Sequence, residues 1–179
     1  MVLHYATTEN NKEPVTITNI TVRDYKDIQS YSFNRIEYKD EKEILSEFGN
    51  FMRKNAGTLV VGWNLKNAIY GIQQLMRRWK ALAIESEFPV QMNDVIDLDE
   101  VLGITYGRNY IQHPKLKSLA DLNEITTLGH IEGRLEPQLY YDGAYKKIEI
   151  STERKVSMVA EIMSLAFEEK LKTNIPIML

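Results

Sequence analysis

The sequence of 179 residues contains no cysteine, which excludes disulfide bonds, thiolate metal sites and cysteine nucleophiles. Its three histidines, His4, His113 and His130, are too widely separated to predict a metal site. No stretch approaches the roughly 20 consecutive apolar residues that a membrane span needs, and residues 1–13 hold no apolar run of signal-peptide length. We therefore expect an intracellular, cytoplasmic protein without membrane contact.

A strong excess of one charge is also absent. The chain has 22 Lys and Arg against 25 Asp and Glu, a formal net charge of -3. This balance gives no global attraction to nucleic acid, so any such binding has to depend on a local basic patch. With 44% hydrophobic and 26% charged residues, the composition is that of an ordinary globular protein, and the length predicts one domain over residues 1–179.

The hydrophobic pattern predicts an α/β fold. Strands are expected at residues 1–8, 15–23, 28–36, 58–61 and 94–98, and helices from about 40, 64, 114 and 151. The first three strands, joined by short turns, predict an antiparallel meander within a mixed sheet that helices cover on each face. Residues 103–113 and 126–145 show little periodicity and are interpreted as irregular.

The stretch around which the other elements are arranged is residues 57–79, a buried strand followed by a tight turn at Gly62 and a helix. In this helix the apolar stripe is formed by Leu65, Ile69, Ile72, Met76 and Trp79. Gly62-Trp63-Asn64 resembles a motif of the proofreading 3'-5' exonucleases of the DEDD type. These belong to the ribonuclease-H-like superfamily, and the branch attached to family-B DNA polymerases is the most similar. In that branch the motif Gly-aromatic-Asn is followed by three variable residues and then by Phe-Asp.

The resemblance extends over most of the chain. Residues 2–10 (VLHYATTEN) resemble the first family motif, an apolar strand that runs into Asp-x-Glu-Thr. Residues 95–99 and 116–120 resemble a short strand and the helix after it, and residues 143–156 resemble the third motif, in which an Asp follows a Tyr by four residues. The resemblance implies a ribonuclease-H-like fold with a metal-dependent nuclease cleft.

The metal-binding acids that the resemblance implies are all replaced. The replacing residues are Tyr5, Thr7, Ala68 or Ile69, and Lys155, while Ser151 stands at the tyrosine position. In that family two divalent cations activate water and stabilise the leaving oxygen, and hard cations require oxygen ligands. Tyr5 and Thr7 keep the spacing that places two side chains on one strand face, but Lys155 adds a positive charge that opposes metal binding. We therefore expect a catalytically degenerate domain, a pseudoenzyme without a cofactor.

Nucleic-acid binding is the first functional hypothesis. Trp63, Asn64 and Lys66 lie in the turn that borders the implied cleft, and Arg154 and Lys155 are expected to face it from the last helix. Lysines there favour phosphate, and an aromatic side chain stacks on an unpaired base. In the alternative interpretation Trp63 belongs to the core and the lysines are solvated.

Two further hypotheses stay open. An active exonuclease would bind Mg²⁺ or Mn²⁺ through substitute carboxylates such as Glu9 and Asp97, although Asp97 and Asp99 are also typical caps of the turn after their strand. A structural or oligomerisation domain would use the apolar tail after Lys172. The partners that these hypotheses name are single-stranded nucleic acid, a second copy of the chain, or a replication or repair protein.

Overall fold

The computed structural model describes residues 1–8, 15–25 and 27–174. Within these ranges the regular structure consists of strands and α-helices, with short 3-10 turns at Met92–Asp94 and Gly133–Leu135. The strands are β1 Val2–Thr7, β2 Ile17–Arg23, β3 Ser30–Asn34, β4 Val60–Gly62 and β5 Val95–Asp97. The helices are α1 Glu41–Lys54, α2 Ile72–Ala81, α3 Leu98–Tyr106, α4 Lys115–Leu122, α5 Glu136–Tyr141 and α6 Tyr145–Phe167. No helix in these ranges is long and apolar enough to cross a membrane.

The five strands form one mixed sheet in the order β3-β2-β1-β4-β5. β1, β2 and β3 pair antiparallel as a meander, whereas β4 is parallel to β1 and β5 is parallel to β4. Helices pack on both faces, since each face of the sheet carries apolar side chains that must be covered. The predicted α/β fold, an antiparallel meander plus parallel strands flanked by helices, is confirmed at this level.

The two faces bury separate apolar clusters. α1 and α2 cover one face, where Tyr5 and Phe48 are among the largest fully buried side chains. α3, α4 and α6 cover the other face, where Trp63 and Val156 are buried. We call these two sides the α1/α2 layer and the α6 layer. The sheet and its two layers bring the ends of β1, β4 and β5 together at one edge.

The predicted helix start at residue 64 is wrong, because residues 64–71 form a loop. Asn64 has a left-handed backbone with φ of 59°, which an α-helix does not accept. The side-chain oxygen of Asn67 then accepts from the backbone N–H groups of Ile69 and Tyr70, a local bond that competes with helix formation. α2 therefore begins only after Gly71, and Ile69 is 60% exposed instead of lying on the buried stripe.

Two other helix predictions need correction. α3 was missed because residues 103–113 lack periodicity; Leu98 and Leu102 nevertheless bury one side of it. α6 begins six residues before the predicted start at residue 151 and ends five before the predicted end at residue 172. The helix cannot continue to residue 172, because Glu169 has a left-handed backbone with φ of 56°.

Candidate functional site

A cavity of about 450 Å³ lies where β1, β4 and β5 end. Thr7 is the last residue of β1, Trp63 follows β4, and Asp99 lies just after β5. Open α/β sheets bind ligands outside the carboxyl ends of parallel strands, so this cavity is the candidate functional site. The residues that line it are His4, Thr7, Trp63, Asn64, Asn67, Tyr70, Asp99, His113, Pro114, Lys115, Leu116, Lys117, His130, Glu132, Gly133, Arg134, Glu136 and Lys155.

The floor of the cavity holds a buried ion pair between α6 and α5. The Lys155 ammonium donates to Oε1 of Glu136 at 2.5 Å, and both side chains are only 5% exposed. The Ser151 hydroxyl, one helical turn before Lys155, lies 3.3 Å from the same oxygen and 3.3 Å from the backbone oxygen of Ile131, and its single hydrogen is shared between these two acceptors. Burial raises the pKa of Glu136, an effect that Lys155 and Ser151 offset in part. The floor therefore carries an ammonium and a carboxylate whose charges balance each other.

His4 is a buried neutral imidazole beside this pair. Burial and then the Lys155 charge hold its pKa well below the usual value. Nε2 lies 3.4 Å from the Tyr70 hydroxyl, whose single hydrogen is donated to the backbone oxygen of Tyr5. The Tyr70 oxygen is then an acceptor toward His4, so the proton of the imidazole lies on Nε2. Nδ1 is left as a buried acceptor without a hydrogen-bond partner in the described structure.

Asp97 fixes the turn after β4. Its carboxylate accepts from the backbone N–H groups of Asn64 at 3.1 Å and Lys66 at 3.0 Å, and from Asp99 N at 3.1 Å as the N-cap of α3. The predicted capping role of Asp97 is confirmed. Asp99 instead accepts from the hydroxyl of Tyr110 and the ammonium of Lys115.

The nucleic-acid residues expected near the turn have different surroundings. Trp63 is 6% exposed and belongs to the core of the α6 layer, although its edge lines the cavity together with Asn64. The Lys66 ammonium forms an exposed ion pair with Glu100 at 2.9 Å and does not line the cavity. The core interpretation of Trp63 therefore holds, and a stacking role would have to use the small part of the ring that is exposed.

Lys155 and Arg154 do not face the same way. Lys155 lies in the cavity floor, whereas the Arg154 guanidinium donates to the backbone oxygen of Leu128 and lines a separate groove with Ile28 and Glu153. Neighbouring residues on an α-helix point about 100° apart, so the expectation that both face the cleft is wrong for Arg154.

The residues aligned with the metal-binding acids of the exonucleases do not all converge. Thr7 lines the cavity, but Tyr5 packs in the α1/α2 layer, where its hydroxyl bonds the backbone of Gly71. An irregularity in the β1–β2 register between Ala6 and Thr7 breaks the two-residue alternation. The expected shared face of Tyr5 and Thr7 is therefore wrong, and His4 points into the cavity instead.

Ala68 and Ile69, which stand at the other replaced position, lie on the outer side of the loop 64–71, whose residues Asn64, Asn67 and Tyr70 line the cavity. Ala68 and Ile69 are exposed and are not among the lining residues. In the described part of the chain, no three His, Asp or Glu side chains are grouped so that they could hold a metal ion. Glu9, one of the proposed substitute ligands, and residues 175–179 of the apolar tail lie outside the described residues.

The rim of the cavity is formed by basic side chains that sequence reasoning did not select. Lys117 pairs with Asp121 at 2.5 Å and Arg134 with Glu132 at 2.6 Å, and all four side chains are at least 41% exposed. Counting all lining residues, four Lys and Arg side chains face three carboxylates, in a chain whose net charge is -3. Each of these four basic groups is ion-paired with a carboxylate, those of Asp99, Asp121, Glu132 and Glu136, so the cavity is a cluster of ion pairs with two exposed basic groups at its rim.

Comparison of the chain with protein-family models and with curated proteins gives no match. The resemblance to the 3'-5' exonucleases therefore depends on the motif residues and on the order of the elements.

Proposed function

We propose that this chain is a ribonuclease-H-like domain that resembles the polymerase-associated 3'-5' exonucleases, has lost their catalytic acids, and binds single-stranded nucleic acid without cleaving it. The meander followed by two parallel strands supports the fold. Gly62-Trp63-Asn64 supports it locally, because the turn lies at the edge of the cavity, as the motif implies.

The observation that carries the proposal is the set of basic side chains that line the cavity, two of them in exposed ion pairs. In the implied nuclease this position holds carboxylates that bind cations, whereas here an ammonium, that of Lys155, lies in the floor. Lys117 and Arg134 add exposed positive charge at the rim. Phosphate groups are attracted to such a region, and their binding weakens with salt because counterions are released.

The rim residues are the ones we assign to the strand backbone. Their ion pairs with Asp121 and Glu132 are exposed, and exposed pairs contribute at most about 1 kcal/mol, so a phosphate competes with them at little cost. Lys155 is less accessible, since Glu136 holds it in the floor. The half-buried Tyr70 provides an aromatic wall next to this basic side.

Fluorescence anisotropy with labelled single-stranded DNA and RNA tests this assignment. We expect binding that weakens with salt, and the double variant Lys117→Glu/Arg134→Glu should weaken it strongly at low salt and reduce the salt slope by about 2. The matched control is Lys80→Glu, an exposed lysine on α2 that does not line the cavity. Binding that is absent, independent of salt, or equally reduced by the control would contradict the proposal.

A nuclease assay on the same strands, with Mg²⁺ and with Mn²⁺, separates the degenerate domain from the active alternative. We expect no shortening of either strand. Metal-dependent cleavage that stays with the protein through further purification would replace the proposal with an active exonuclease that uses other carboxylates.

A further inference from the structure

The floor ion pair leaves hydrogen-bonding groups unused. Lys155 has three N–H donors, and only one of them donates to a described residue. At Glu136, Oε1 accepts from Lys155 and lies within hydrogen-bonding distance of the Ser151 hydroxyl, while Oε2 accepts none within the described structure. Together with the unpaired Nδ1 of His4, the floor holds both donors and acceptors that the protein itself does not satisfy.

The Lys155 ammonium is buried with a single described partner, and a buried charge is costly unless it is paired and hydrogen-bonded. A buried ammonium requires a compensating anion, and here one oxygen of one carboxylate provides it. Burial also raises the pKa of that carboxylate, which means that the pair does not fully compensate its own desolvation. A phosphate group offers more acceptor oxygens to an ammonium than a carboxylate does.

Glu136 lies on a shorter element than Lys155, so its carboxylate is the partner that another anion can displace. Lys155 is fixed in the middle of the 23-residue helix α6, whereas Glu136 is the first residue of α5, which has only six residues. A 3-10 turn precedes α5, and Gly143, with φ of 71°, follows it. The basic rim, Lys117 and Arg134, lines the same cavity.

We propose that the Glu136 carboxylate occupies a phosphate position on Lys155, and that the terminal phosphate of a bound nucleic-acid strand exchanges with it. The inference rests on the proposed function for its source of phosphate. The Lys155 site itself is independent of that source, because it recognises a phosphate monoester by charge and hydrogen bonds. Glu136 thus acts as a resident competitor that lowers the affinity of the floor for anions.

The test is thermal unfolding of the protein in inorganic phosphate and in chloride at equal ionic strength. Glu136→Gln removes the competing charge and leaves Lys155 in need of an anion, so phosphate should bind this variant at least about tenfold more tightly than the wild type. It should raise the unfolding temperature accordingly. Glu136→Gln/Lys155→Met should show no phosphate effect beyond that of the wild type. The proposal is overturned if Glu136→Gln responds no more than the wild type, or if the double variant responds equally.

A second variant keeps the test valid if Glu136→Gln does not fold in chloride. Ser151→Ala removes the hydroxyl whose hydrogen is shared between Oε1 and the backbone oxygen of Ile131, and it leaves both charges in place. The carboxylate is then held less firmly, and phosphate affinity should increase severalfold, about the effect of one hydrogen bond. Glu168→Gln is the control, since it changes an exposed carboxylate that pairs with Lys170 and does not line the cavity. An unchanged affinity in Ser151→Ala, or an equal gain in the control, overturns the proposal.

Oligonucleotides distinguish this inference from the proposed function. The probes are one single-stranded DNA with a 5'-phosphate, with a 3'-phosphate, or with neither. If the strand binds but neither terminal phosphate nor Glu136→Gln changes its affinity, the exchange is wrong and the proposed function stands. If no strand binds, the proposed function fails, while the response of Glu136→Gln to inorganic phosphate still decides whether Lys155 is a phosphate site.

Discussion

The two faces of the sheet are held by different kinds of contact. In the α1/α2 layer, Phe48, Leu75 and Trp79 belong to a continuous apolar cluster with strand residues, and the buried hydrogen bonds of Tyr5 and Glu41 go to backbone groups. In the α6 layer, the apolar cluster covers only part of the contact. Between β2 and α6, Asn19 donates to the Thr152 hydroxyl at 2.8 Å, and Thr21 lies 2.9 Å from the same oxygen.

The two kinds of contact have different consequences for how precisely a helix is held on the sheet. Apolar contacts are non-directional and tolerate small shifts, whereas buried hydrogen bonds require a fixed register between helix and strand. Asn19 is 1% exposed, and Thr21 and Thr152 are fully buried, so their bonds have to form within the protein. Because Lys155 follows Thr152 by one turn of α6, this polar contact also sets where the ammonium enters the cavity.

The largest expected effect tests the polar end of the α6 layer. Lys155→Ala leaves the Glu136 carboxylate buried without its cation, and breaking a buried ion pair by removing one partner costs about 3 to 5 kcal/mol of unfolding free energy. Urea unfolding measures this loss. Lys155→Met/Glu136→Leu removes both charges and should restore most of the stability. A double variant as unstable as Lys155→Ala would contradict the charge explanation.

Lys155 also shows how much of the site could be predicted from the sequence. The motif alignment placed Lys155 at the implied cleft, and its side chain lines the cavity at the ends of β1, β4 and β5; the strand pattern predicted the mixed sheet. Its partner Glu136 could not be predicted, because the two residues lie on different helices and residues 126–145 carry no periodic signal. Arg154 was misassigned although helix geometry already excludes that two neighbouring residues share a face. The position of Tyr5 depended on a register irregularity that local sequence does not reveal.

A second prediction tests the polar contact between β2 and α6. Thr152→Val keeps the shape of the side chain but removes the hydroxyl, which leaves the amide of Asn19 without its buried acceptor. An unsatisfied buried group costs about 1 to 3 kcal/mol. Chemical denaturation measures the loss, and Thr105→Val on the exposed side of α3 is the control. If both variants are equally stable, the buried hydroxyl of Thr152 does not contribute more stability than an exposed one, and the proposed difference between the two layers is wrong.

A third prediction concerns pH and His4, in the α6 layer. Since burial lowers the pKa of His4, the unfolded chain binds its proton at a higher pH than the folded protein does. Stability should therefore fall as the pH decreases below about 6.5, by up to about 1.4 kcal/mol per pH unit for this group. Unfolding measured between pH 7 and pH 5 should show a smaller decrease in His4→Gln. Parallel curves for the two proteins would exclude His4 as the cause.

The smallest expected effect tests how tightly the α1/α2 layer is packed. At Gly49 in α1, an added Cβ would lie 2.3 Å from the indole of Trp79. Gly49→Ala therefore forces the ring to move, and overpacking costs about 1 to 3 kcal/mol, of which the better helix propensity of alanine offsets about 1. We expect a net loss of about 1 kcal/mol by urea unfolding. Gly103→Ala in α3, where a Cβ meets no atom within 4 Å, should instead stabilise the protein. If Gly49→Ala is as stabilising as Gly103→Ala, the apolar layer is loose enough to adapt, and the contrast between a tightly packed face and a hydrogen-bonded face is lost.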